Sequence, residues 1–193
     1  MSLCLRVDLK EKECVIFGGG KQALRRAEQL LLQKAKVRVY APEFCSGWGK
    51  YRDICYKSYF AKEQLKGAFL VVAATNDERV NQQIVDCALQ QGSIVISSTI
   101  TNTPFHAMAN RAWSRGIVSV SVPQVPALAV KMTEQFACIS QKHYSQKAEK
   151  IILLRSLAKK KLSSKLFLKL MRWSVNAPID SLDCMIKKLK SID

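Results

Sequence analysis

Three consecutive glycines set between an apolar run and a helix-like stretch constrain this chain more than any other feature. They lie in "CVIFGGGKQALRRAEQLL", residues 14–31. The run before them is short, apolar and ends on glycine, which predicts a buried strand over 13–18. The stretch after them places Ala23, Ala27, Leu30 and Leu31 at helical spacing with basic residues opposite, which predicts an amphipathic helix over 21–34. The spacing Gly18, Gly20, Ala23 fits G-x-G-x-x-A. In that pattern the first glycine permits the turn, the second lets a diphosphate approach without a Cβ, and the third small residue keeps helix and sheet close. The first helical amides then face the phosphates, where the helix dipole favours negative charge. The alternative is a tight turn with no ligand. Strand before, helix after and a second strand following favour the dinucleotide.

The pattern continues beyond the loop. "KVRVYAP" (36–42) alternates and stops at proline, "CYKSYF" (55–60) reads as a short third strand, and "GAFLVVAAT" (67–75) is wholly apolar. "NDERVNQQIVDCALQQG" (76–92) opens on an Asn/Asp cap and closes on glycine, as a helix should. "SIVISST" (93–99) and "GIVSVSV" (116–122) read as further strands. Near-continuous apolar strands alternating with helices imply a parallel sheet covered on both faces. After residue 122 no strand signal remains, and two or three amphipathic helices follow, broken near Ser163–Ser164 and Asn176–Pro178. The expectation is therefore an α/β Rossmann-type domain over 1–115, a dimerisation segment over 116–145 and a small helical carboxyl-terminal domain over 146–193. Val118, Val120, Val122, Leu128, Val130, Met132 and Phe136 are the apolar residues with which the middle segment would pair with a second copy; ordinary core is the other reading.

Charge narrows the partners. The net charge is +16, and from Gln141 to Asp193 thirteen basic residues face four acidic ones. Such a surface attracts polyanions. The "AKKKLSSK" run (158–165) has sparse aromatic interleaving and no recognition-helix motif, so nucleic acid is not the expected partner. The longest apolar run, "AFLVVAA" (68–74), is too short to cross a bilayer, and the amino terminus carries charge where a secretory leader needs an apolar core. Seven scattered cysteines without C-x-x-C or zinc spacing point to reduced, mostly buried thiols in a cytoplasmic protein, with no metal site expected. His106 and His143 are the two histidines, and both read as solvated.

"VIFGGGKQALRRAEQLL", "VYAPEF", "FLVVAATNDERVNQQI" and the segment 116–138 together resemble, in order and spacing, the dehydrogenase–chelatase module of siroheme synthases, the precorrin-2 dehydrogenase family. The likeness covers about residues 5–140. It implies NAD-dependent oxidation of precorrin-2 to sirohydrochlorin, a homodimer, and in some members insertion of ferrous iron. Carried over by position, the cofactor residues are Gly18, Gly19, Gly20, Lys21, Gln22, Ala23, Ala41, Pro42, Thr75, Asn76 and Asp77. The substrate is an anionic tetrapyrrole with eight carboxylates. Its candidate contacts are Ser121, Arg111, Arg115 and Lys131, in a basic cleft between the nucleotide domain and the helical tail.

The chain departs from the family at two places. The family's Asp in "V-D-x-P" falls on Ser98, the candidate catalytic position, with no carboxylate nearby. The glycine-rich "S-T-x-G-x-S-P" is reduced to "SVPQVPALA" (121–129). General acid–base help is worth roughly 10²–10⁴-fold, so loss of one Asp slows an oxidation whose proton can leave to water. Metal insertion needs a base for the pyrrole protons, and serine is poor at that, so chelatase activity is expected to be weak or absent. The rival reading is a degenerate homologue that binds tetrapyrrole or nucleotide as a carrier or regulator without turnover; a third is a basic adaptor protein. The acid expected at the end of the second strand is displaced to Glu43, and a lone Arg38 is a poor 2′-phosphate clamp, which favours NAD over NADP.

Overall fold

A computed structural model describes residues 7–100, 103–122 and 125–191. The chain divides into two compact units, 1–107 and 108–193.

The first unit is a five-stranded parallel sheet flanked by helices. The strands are β1 (Glu13–Phe17), β2 (Lys36–Ala41), β3 (Cys55–Lys57), β4 (Leu70–Ala73) and β5 (Ile94–Ser97), in the spatial order β3-β2-β1-β4-β5. Helix α1 (Lys21–Leu32) crosses from β1 to β2, and α2 (Glu78–Gln90) from β4 to β5. Alternate residues of the same strand feed opposite faces. Cys14, Ile16, Leu70 and Val72 pack with Ala23, Ala27 and Leu30 of α1. Val15, Phe17, Val71 and Ala73 pack with Ile84, Val85 and Ala88 on the other face. Burial on both faces explains why these strands read as unbroken apolar runs. Each fully buried Val, Ile or Phe contributes about 1.5–3 kcal/mol.

Between β2 and β3 the chain makes a 3-10 segment, Ser46–Ile54, kinked at Tyr51. Nothing in the sequence pattern pointed to it. Its Trp48 is buried against the α1 face.

The second unit begins with β6 (Ala109–Trp113) and β7 (Gly116–Val120), an antiparallel hairpin. The strand expected over 116–122 is present as β7, and it pairs antiparallel with the strand before it. The apolar alternation was real, but its partner is the preceding strand, which is too polar in sequence to have announced itself. Three helices follow: α3 (Pro126–Lys161), α4 (Ser164–Asn176) and α5 (Ile179–Lys190). The breaks fall at the expected places, with Ser163 and Pro178 as helix-starting residues. The expected boundary at 145/146 is crossed by α3 without interruption, because no glycine or proline occurs after Pro126 within it. The expected boundary at 115/116 falls in the turn of the hairpin. Leu154, Ala158, Ala177, Leu182, Ile186 and Leu189 form this unit's core, and Lys150 pairs with Asp183 between α3 and α5.

Thiol burial is less general than expected. Of the six described cysteines only Cys14 is buried; Cys45, Cys55 and Cys87 are half-buried, and Cys138 and Cys184 are exposed.

Candidate cofactor site

The strand order places a switch point between β1 and β4, because the chain leaves β1 toward β2 on one side and reaches β4 on the other. Ligands of open parallel sheets bind outside the carboxyl ends of the strands at such a point. Two loops meet there: the three glycines after β1 and Ala74–Asp77 after β4.

Each glycine has its own reason. Gly18 has φ +128°, and a Cβ on it would lie 2.2 Å from the Ala74 carbonyl oxygen. Its amide donates to the Tyr40 carbonyl at 2.9 Å. A Cβ on Gly19 would lie 1.8 Å from the Glu43 carbonyl oxygen. The Gly19 carbonyl accepts from the Cys45 amide at 2.9 Å and from the Trp48 indole at 2.8 Å. Gly20 differs. It is exposed, its φ is −82°, and a Cβ there would meet nothing within 4 Å. The protein uses the first two glycines for its own packing and leaves the space beside the third clear.

Helix α1 starts directly behind Gly20, with no side-chain cap and no acid in its first turn. Helix α2 is the opposite case: the Asp77 carboxylate accepts from the amides of Arg79 and Val80 at 2.8 and 3.3 Å. Of the two helix starts at the switch point, one is capped from within and the other presents bare amides, which suits an external anion. Gly18–Gly20, Lys21, Gln22 and Ala23 thus fit a diphosphate.

The second loop is held by Asn81, which has no exposed surface. Its Oδ1 accepts from the Thr75 amide at 3.0 Å and from the Thr75 hydroxyl at 2.8 Å. Its Nδ2 donates to the Thr75 carbonyl and the Thr99 hydroxyl, both at 3.0 Å. One buried amide therefore ties the ends of β4 and β5 together. Asn76 and Asp77 line an open hollow of about 600 Å³ with Glu78, Arg79, Gln82 and Ile100. Asp77 acts here as a helix cap. Ala41 is buried at the end of β2, and Pro42 after it is exposed.

Ser98 lies just past β5, exposed, its hydroxyl 3.3 Å from the Ala73 carbonyl oxygen. It lines a smaller pocket of about 170 Å³ with Gln22, Arg25, Arg26, Val72, Ala74, Ile96 and Ser97, none of them acidic. Arg38 is engaged already, with Glu13 at 3.6 Å, the Tyr40 hydroxyl at 3.3 Å and the Lys66 carbonyl at 3.4 Å.

The candidate substrate contacts Arg111, Arg115, Ser121 and Lys131 belong to the second unit. Arg111 pairs with Glu134 at 3.5 Å and Arg115 with Glu149 at 2.9 Å, so neither is an uncommitted cation. Ser121 and Lys131 are exposed, as are His106 and His143. Sequence reasoning missed Trp48, whose role depends on a contact 29 residues away.

Sheet order, glycine loop and uncapped helix together define a dinucleotide-binding protein of the Rossmann type. Residues 5–104 match the family described as "Putative NAD(P)-binding". The siroheme synthase 1 of Aeromonas hydrophila is 31% identical over 157 residues, 76% of this chain and 33% of that protein. The siroheme synthase of Pseudoalteromonas translucida is 27% identical over 162 residues, 79% of this chain and 34% of its own length. Among solved structures, SirC, precorrin-2 dehydrogenase, superposes with a TM-score of 0.76 at 19% identity, over 97% of this chain and 98% of that one. The chain belongs to the family of putative NAD(P)-binding proteins, and it is similar to siroheme synthases over part of their length. It spans about a third or less of the length of the curated relatives it matches.

Proposed function

We propose that the chain is an NAD-dependent dehydrogenase that oxidises precorrin-2 to sirohydrochlorin. The observation that carries the cofactor half is the clear space beside Gly20 in front of an uncapped α1. Bound there, NAD supplies the hydride acceptor. The chain's own residues do the positioning: Gly18 and Gly19 set the loop, Gly20 and the amides of Lys21, Gln22 and Ala23 hold the diphosphate, and Asn81 fixes the loop of Thr75 and Asn76. NAD is preferred over NADP because the arginine on β2, Arg38, is spent on Glu13 and Tyr40. The substrate half rests on the relatives' names and on a net charge of +16, which suits a ligand of many carboxylates.

No acid lines the pocket at Ser98, so nothing there takes pyrrole protons. Iron insertion is accordingly weak or absent. The same lack of a base favours the second reading, binding without turnover. One assay separates them: protein, NAD and precorrin-2 are mixed anaerobically and NADH is followed by absorbance. NADH formation supports the dehydrogenase; tetrapyrrole binding without NADH supports the carrier. Exposed Ile117, Leu128, Val130, Phe136 and Ile139 support a homodimer through 116–145, which light scattering checks. Among the described residues no helix is long and apolar enough to cross a membrane.

A further inference from the structure

The pocket at the carboxyl ends of β4 and β5 carries a charge that nothing in it balances. Arg25 and Arg26 both line it. Arg26 bonds through Nη1 to the neutral amide oxygen of Gln29 at 3.1 Å, and among the described residues neither arginine has a carboxylate partner. Lys36, Arg38, Lys50, Arg111, Arg115 and Lys150, by contrast, each face an Asp or Glu. Burial, and then the Arg25 charge, hold the Arg26 guanidinium below the ordinary arginine range. That is the direction expected of a cation missing its counter-ion.

The hydroxyls complete the chemistry. Ser97 Oγ accepts from the amides of Ile100 at 3.0 Å and Thr99 at 3.3 Å. Both acceptor positions are committed, so its own proton is left to donate. Val72, Ala74 and Ile96 supply apolar lining, which strengthens a charged hydrogen bond formed against it.

We propose that this pocket is a carboxylate-binding subsite, with Arg25 and Arg26 as charge partners and the Ser97 hydroxyl as a third donor. Ser98 matters by what it is not. A carboxylate at this position would neutralise the two arginines from within; a serine leaves the charge for the ligand. The choice of a polycarboxylate as occupant rests on the function proposed above, whereas the demand for an anionic oxygen group rests on the pocket alone.

The test uses uroporphyrin, a fluorescent tetrapyrrole with eight carboxylates, titrated against the full chain by fluorescence anisotropy, with NAD binding followed in parallel by thermal shift. Charge-assisted hydrogen bonds lost in Arg25→Gln/Arg26→Gln weaken uroporphyrin binding by roughly 10–100-fold and leave the NAD shift unchanged. Ser98→Asp, which supplies an internal counter-charge, weakens it by about tenfold with the arginines intact. Unchanged uroporphyrin affinity in the double variant, or no binding by the wild type, overturns the inference. Loss of the NAD shift in the double variant also overturns it and assigns the pocket to the nucleotide. Binding with the expected sensitivity but no NADH from precorrin-2 leaves the subsite standing and removes the dehydrogenase.

Discussion

The Trp48 indole nitrogen donates a hydrogen bond to the Gly19 carbonyl oxygen at 2.8 Å. This bond fastens the middle of the glycine loop to a 3-10 segment that otherwise has no part in the cofactor site. The Cys45 amide reaches the same oxygen at 2.9 Å. The loop's shape is thus set from outside as well as by its own glycines.

Trp48→Phe removes the indole donor but leaves the Cys45 amide in place, so the carbonyl is not orphaned. The expected loss of stability is about 1 kcal/mol by urea denaturation. The loosened loop weakens NAD several-fold by calorimetry. Unaltered NAD affinity would show that Trp48 serves packing alone.

The three glycines separate by what they serve. Gly18→Ala forces a side chain into φ +128° and against the Ala74 carbonyl, and is expected to cost at least about 2 kcal/mol or to prevent folding. Gly20→Ala meets nothing, so the melting temperature of the free protein stays near wild type. Its Cβ does occupy the diphosphate's approach, and the thermal shift with NAD disappears. A Gly20→Ala protein that binds NAD normally sinks the cofactor assignment.

Asn81→Ala strips partners from the Thr75 amide and carbonyl in one step. Buried groups left unsatisfied cost about 1–3 kcal/mol each, so the variant loses roughly 2–4 kcal/mol, and NAD affinity falls with it. Amide exchange checks the mechanism: protection at Thr75 is lost ahead of protection at Val71.

Burial, and then the Glu13 charge, push the Cys14 thiol up to about 11 from an ordinary 9.0. The folded state therefore keeps its proton at a pH where the unfolded chain has released it. The corresponding stability is fully present below about pH 9 and is lost as pH rises toward about 11. Two units correspond to about 2–3 kcal/mol. Over that window the wild type loses this much more than Cys14→Ala in paired urea titrations; parallel curves would refute it. A thiol reagent at neutral pH labels Cys138 and Cys184 and spares Cys14.

Much of the fold was legible because it is local. The apolar runs of β1 and β4, the alternation of β2, the Asp77 cap and the breaks at Ser163 and Pro178 are each contained in a few consecutive residues. The cofactor loop was legible for the same reason, strand, glycines and helix being contiguous. The partner of β7 was not, since apolar alternation fixes which face is buried but not which strand lies alongside. Nor was the engagement of Arg111 and Arg115, because Glu134 and Glu149 lie far along the chain.

By itself the sequence determined where the backbone must turn and where it must coil, since these follow from dihedral freedom and side-chain period. Only the tertiary structure decided that Trp48 and Asn81 hold the two loops and that Arg25 and Arg26 share a pocket without a carboxylate. Those are matters of distance between segments remote in the chain, and charge or hydrogen-bond balance exists only once the segments meet.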